Sequence, residues 1–123
     1  MKESDIYVFG RSMGSGPACW LAGTFNPGAL MVMSGYTSIK NAAKSAVGFL
    51  SFFVKERFQN IEMVKHATCP TFILHGQQDE VIPYNHGEAL NREAVGEPKM
   101  FIHPRDMTHN IYDLNRDLLR PLS

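Results

Sequence analysis

The chain of 123 residues is poor in cysteine and tryptophan and carries no surplus of charge, its 12 basic side chains matching its 12 acidic ones. Two thiols, Cys19 and Cys69, are too few for a disulfide framework. Both are expected reduced and buried, which points to a cytoplasmic setting. Zero net charge removes the electrostatic footprint that a phosphate backbone selects, so no nucleic-acid partner is expected. The apolar runs stop well short of the roughly 18 residues a membrane span needs. Met1-Lys2-Glu3-Ser4-Asp5 offers neither the apolar core of a secretory leader nor the glycine at position 2 that myristoylation requires. The His and Cys spacings give no metal-site pattern. Repeats and low-complexity stretches are absent too. What remains is one domain of ordinary globular composition, 44% apolar and 20% charged.

Within it, short apolar runs alternate with helical patterns. Ile6-Tyr7-Val8-Phe9 is a β-prone run ended by Gly10, and residues 13 to about 24 carry Ala18, Leu21 and Ala22 at helical spacing. "GALMVMS" (28–34) is a second apolar run bounded by glycine, and 39–65 reads as helical pieces with Ala42, Ala46, Phe49, Leu50 and Phe53 on one face. Pro70 opens a third strand, "TFILHG", and Pro83 suits the first position of a helix running to about Ala94. "KMFIH" (99–103) is a fourth strand, followed by a last helix from about Asn110 through Leu119. Near-continuous apolar strands between helices predict an α/β fold whose parallel sheet is covered on both faces.

One serine stands out. Gly10-Arg11-Ser12-Met13-Gly14 forms a G-x-S-x-G pattern, weak by itself but placed where a strand passes into a helix. A sharp turn there would hold Ser12 in a strained backbone conformation above the carboxyl edge of the sheet, where open α/β folds bind ligands. Side chains at Gly10 or Gly14 are expected to collide with the neighbouring strand or helix. The Met13 amide, at the helix start, would face a developing oxyanion. The plain alternative is a turn that happens to contain a serine.

A nucleophilic serine needs a base, and the base needs an orienting acid. Asp79, three residues past Gly76 in "LHGQQDEVIP", suits the acid; Glu80 is its rival, and helix capping is Asp79's alternative role. Five histidines compete for the base. His66 precedes a strand, at the wrong end of the sheet. His75 sits at the end of the third strand, where packing or support suits it, and His86 lies on the following helix. His103 ends the fourth strand. His109 follows it in "PRDMTHN", where a loop can swing the imidazole over the serine, so His109 is preferred with His103 as the alternative.

With Ser12, Asp79 and His109 placed in that order, the chain resembles the α/β-hydrolase superfamily over nearly its whole length. "IYVFGRSMGSGPACWLA" is similar to the nucleophile region of the subgroup holding the Bem-type hydrolases, serine aminopeptidase-like enzymes and protein depalmitoylases. "CPTFILHGQQDEVIPYNHGEAL" resembles that group's acid region, and "MTHNIY" stands where the family usually has Gly-His-Asn-Asp, with Thr108 in place of the glycine. The resemblance implies hydrolysis of an ester, thioester or amide through an acyl-enzyme, without metal or organic cofactor. The expected substrates are small acyl esters or acylated proteins.

The same resemblance implies that only the C-terminal part of the fold is here, because the family's nucleophile ordinarily follows the fifth of eight strands. The loop that supplies a second oxyanion amide would be missing, at a cost of roughly 10²–10³ in kcat. Strand 6–9 would then be an exposed apolar edge open to pairing. A partial sequence beginning at an internal methionine is the expected explanation, with any membrane attachment encoded outside this chain. Residues 36–68 are expected as a cap or acyl-pocket insertion, "VGFLSFFV" (47–54) either lining an acyl site or packing a helix on the sheet. The opposing functional reading is a non-catalytic binding module or an inactive fragment.

Overall fold

The structure, a computed structural model, describes residues 2–38 and 59–110. The helical pieces expected within 39–58, the "VGFLSFFV" segment and the last helix lie outside the described residues. Four strands, β1 (Tyr7–Arg11), β2 (Ala29–Met33), β3 (Thr71–Leu74) and β4 (Lys99–Ile102), pair in sequence order as one fully parallel sheet. Between them come α1 (Ser15–Thr24), the single turn α2 (Asn60–Met63) and α3 (Tyr84–Glu93). A 3₁₀ turn, Ser12–Gly14, separates β1 from α1, so the helix expected from residue 13 begins at Ser15. Pro83 caps α3 in an extended conformation rather than opening it.

Parallel pairing puts Val8 beside Leu30 and Leu30 beside Thr71, and Gly10, Val32, Ile73 and Phe101 fall in line on the same face. Against this face pack Ala18, Cys19 and Ala22 of α1, Val64 and Ala67 after α2, and Leu90 and Ala94 of α3 and its end. That is the main core. Truncating Leu30 to Ala there would cost about 2–5 kcal/mol. The described helices all pack over this face. The reason is topological: with strands adjacent in chain order, right-handed crossovers all return over the same side. The opposite face carries a smaller cluster of Met33, Leu74 and Met107 with Ile102 beside it.

Among the described residues β1 forms one border of the sheet, pairing with β2 alone. Tyr7 is 78% exposed and Phe9 55%, so the expected apolar edge is present. Both cysteines are free and buried, as expected, and burial pushes the Cys19 thiol up to about 12.

Candidate active site

All the features of interest gather at the carboxyl end of the sheet. β1 delivers the chain into Ser12 with φ of 53°, and the one other described non-glycine residue in this left-handed region is Ser34. Such a conformation costs about 1–3 kcal/mol and persists only where surroundings enforce it. Some of that enforcement comes from Gly10. A Cβ added there would overlap the Gly14 carbonyl oxygen and stand 2.6 Å from Ala18 Cβ. Gly14 does not behave as the sequence predicts. A Cβ at Gly14 meets no described atom within 4 Å, and its φ of −69° suits any residue. Close approach at the elbow is thus concentrated at Gly10.

The rest of the enforcement is polar. Ser15 Oγ donates to the Ser12 carbonyl at 2.6 Å, and Asn60 Nδ2 donates to Ser15 Oγ at 3.1 Å and to the Tyr36 carbonyl at 2.8 Å. Tyr36 Oη donates to the Met13 carbonyl at 3.4 Å. Ser15, Tyr36 and Asn60 are all fully buried. Burial, reinforced by the neighbouring Cys19, raises the Tyr36 phenol above its ordinary value, so it stays a donor. Met13 itself projects a 67% exposed side chain.

Asp79 lies in the loop after β3, buried, and each of its oxygens is engaged. Oδ1 accepts from the amides of Val81 at 3.0 Å and Ile82 at 2.8 Å. Oδ2 lies 3.0 Å from Nδ1 of His109, also buried. With a carboxylate as acceptor, Nδ1 carries the proton and Nε2 presents a lone pair. The His109 loop is itself pinned. Arg11, next to Ser12, donates from Nη2 to the His109 carbonyl at 2.6 Å and to Asn110 Oδ1 at 3.2 Å. Gln78 N donates to the Met107 carbonyl at 3.0 Å. A Cβ on Gly76 would strike that same carbonyl. Ser12 Oγ makes no hydrogen bond to a described residue. A cleft of about 280 Å³ lined by Glu80, Val81, Thr108, His109 and Asn110 opens beside the imidazole.

The other candidates fall elsewhere. Glu80 and His66 are exposed. His103 is exposed too, bonded to Gln77 and lying against Phe101 and Tyr84, away from Asp79. His86, buried on α3, accepts from the Thr37 amide at 3.1 Å. His75 is fully buried with Nε2 donating to the Ile82 carbonyl at 2.7 Å and standing 3.6 Å from Asp79 Oδ2. Among the described residues its Nδ1 has no partner. Burial lowers the pKa of both His75 and His86. Among the described residues no group of three His, Cys, Asp or Glu side chains is placed to hold a metal, and no helix is long and apolar enough to cross a membrane.

Sequence reading overlooked Arg11, Ser15, Tyr36 and Asn60. Arg11 occupies the unconstrained second position of the G-x-S-x-G pattern, and the other three meet only through the fold.

A parallel sheet with a left-handed serine after one strand, and an Asp–His pair after two later ones, defines the α/β-hydrolase class, and the chain belongs to that superfamily. Among curated proteins it is similar to lysophosphatidylserine lipase ABHD12 of Macaca fascicularis, 33% identical over 108 residues, covering 72% of this chain and 27% of that protein. It is also similar to human alpha/beta hydrolase domain-containing protein 17B, 31% identical over 90 residues, 73% of this chain and 31% of the other. The chain spans between 27% and 31% of the length of such relatives. No protein-family model matches. The fold is shared with acetyl xylan esterase from Paenibacillus sp. R4, at TM-score 0.75 and 17% identity over 98% of this chain and 45% of that one. A Mycobacterium tuberculosis puromycin-hydrolyzing peptidase matches at TM-score 0.75 and 16% identity over 98% of this chain and 21% of its own.

Proposed function

We propose that the protein is a serine hydrolase that cleaves acyl esters or thioesters, with Ser12 as nucleophile, His109 as general base and acid, and Asp79 as the group that orients the imidazole. The observation that carries this reading is the 3.0 Å contact of His109 Nδ1 with Asp79 Oδ2, in a loop bound by Arg11, the residue before Ser12. Ser12 Oγ attacks the carbonyl carbon while His109 Nε2 takes its proton. The Met13 amide stabilises the oxyanion. The acyl–oxygen or acyl–sulfur bond then breaks, the leaving group departs with the proton from His109, and water releases the acid by the same steps in reverse roles. Similarity to a protein named lysophosphatidylserine lipase and the resemblance to depalmitoylases both favour a single long acyl chain as substrate.

A fluorophosphonate probe on the protein tests the proposal. Labelling is expected at Ser12 and is expected to vanish in Ser12→Ala; equal labelling of that variant refutes the nucleophile. Paired assays with a lysophospholipid and an S-acylated peptide then choose between oxygen and sulfur esters. The second reading, an acyl-binding module without turnover, is favoured by the lack of a hydrogen bond between Ser12 Oγ and His109. It predicts acyl binding with no labelling.

A further inference from the structure

We infer that Asn60 and Ser15 are positioning residues for the nucleophile turn, setting through one hydrogen-bonded chain both the Ser12 backbone and the direction of the Met13 amide. The inference rests on the proposed role of Ser12. Its basis is the peptide unit that joins Ser12 to Met13. Among the described residues the one cis bond is Glu97–Pro98, so the Ser12–Met13 peptide is trans, and its C=O and N–H point in opposite directions. Whatever holds the Ser12 carbonyl downward therefore holds the Met13 N–H upward.

Ser15 Oγ holds that carbonyl at 2.6 Å, beside the turn's own bond from the Ser15 backbone N–H. A hydroxyl has one hydrogen and rotates freely, so Ser15 alone would be free to turn it elsewhere. Asn60 removes that freedom. Its Nδ2 donates to Ser15 Oγ at 3.1 Å, which fills an acceptor site on the hydroxyl and turns its hydrogen away from Asn60, toward the Ser12 carbonyl. The second Nδ2 hydrogen goes to the Tyr36 carbonyl at 2.8 Å, fixing the amide's own orientation. Tyr36 then reaches the next carbonyl of the turn, that of Met13. All three side chains are shut off from water, so no solvent molecule is at hand to replace a lost donor. Among the described residues Asn60 Oδ1 is buried without a partner while both amide hydrogens are used, as expected if the donors are the function of the residue.

The arrangement also gives a role to the segment between β2 and β3. Asn60 opens α2, and the Ile61 amide donates to the Thr37 carbonyl at 3.0 Å, so this single turn is docked against the loop after β2. α2 thereby braces the turn from below.

The test compares Ser15→Ala, Asn60→Ala and the double variant by two readouts, the rate constant of fluorophosphonate labelling and amide hydrogen exchange of the segment 10–16. Each single variant is expected to slow labelling at least tenfold and to raise exchange of 10–16 at least tenfold, with exchange of β3 unchanged. Because Asn60 acts through Ser15, the double variant should label no more slowly than the worse single one. On a hydrolysed ester the loss should fall on kcat with KM unchanged. Labelling and local exchange within twofold of the parent in both single variants overturns the inference, as does a double variant whose loss is the product of the two. A variant that melts lower but labels at the parent rate also overturns it, since that is a structural role alone. Undiminished labelling of Ser12→Ala instead refutes the nucleophile, and the local exchange result then judges the bracing of the turn by itself.

Discussion

Replacing Asp79 with Asn should silence the protein while leaving it folded. Asp79 Oδ1 accepts two amide hydrogens, from Val81 at 3.0 Å and Ile82 at 2.8 Å. Each is worth about 1 kcal/mol, and turning an NH₂ toward them would set donor against donor. The new side chain will therefore keep its oxygen on the loop amides and aim its NH₂ at His109 Nδ1, which stands 3.0 Å from the present Oδ2. His75 Nε2, 3.6 Å from the same oxygen, is already donating to the Ile82 carbonyl and offers no acceptor there. His109 must then accept at Nδ1 and carry its proton on Nε2, the nitrogen proposed to receive the proton of Ser12. In Ser-His-Asp hydrolases this tautomer error costs about 10⁴ in kcat, or about 5.5 kcal/mol. Steady-state hydrolysis of an acyl ester measures the loss, ¹⁵N NMR of the His109 ring reads the tautomer, and a thermal melt confirms folding. A folded variant that retains kcat within tenfold of the parent would refute the reasoning from loop to tautomer.

The two elbow glycines should behave oppositely. Gly10→Ala drives a methyl onto backbone and should destabilise by about 3 kcal/mol in a denaturant melt, whereas Gly14→Ala should stay within about 1 kcal/mol of the parent. Equal losses would show that the packing around Gly10 is misjudged. Stability should also fall in mild acid. His75 and His86 have native pKa values lowered by burial from an unfolded value near 6.5, so the unfolded chain binds more protons below that pH. Their contribution is complete above about pH 6.5 and is lost as pH falls from there toward the lower native values, with a limiting slope of about 1.4 kcal/mol per pH unit for each histidine. Denaturant melts from pH 7.5 to 5.5 check this, and a flat profile would contradict it.

Much of this was legible in the residues because it follows from local chemistry. Four apolar runs became four strands with ends shifted by a residue or two, and a serine between glycines at a strand end became a left-handed turn. His109 separated from His103 on loop position, and the structure puts His109 beside Asp79. What stayed hidden depends on apposition. Asn60 lies 45 residues from Ser15, and Arg11 lies 98 from His109, and nothing in a local window marks either pair. Gly14 misled because the pattern names two glycines while the crowding falls on one.

The Arg11–His109 bond has a kinetic consequence. It closes 98 residues of chain, at an entropic cost of about 4 kcal/mol beyond the length-independent part of loop closure. Contacts of such separation form late, after nearer strands and helices have shortened the loop. Strand pairing and the core beneath α1 can mature while the imidazole is still far from the serine. The reactivity proposed for Ser12 is then the final property the folding chain acquires, and the first it surrenders when the loop 103–110 opens.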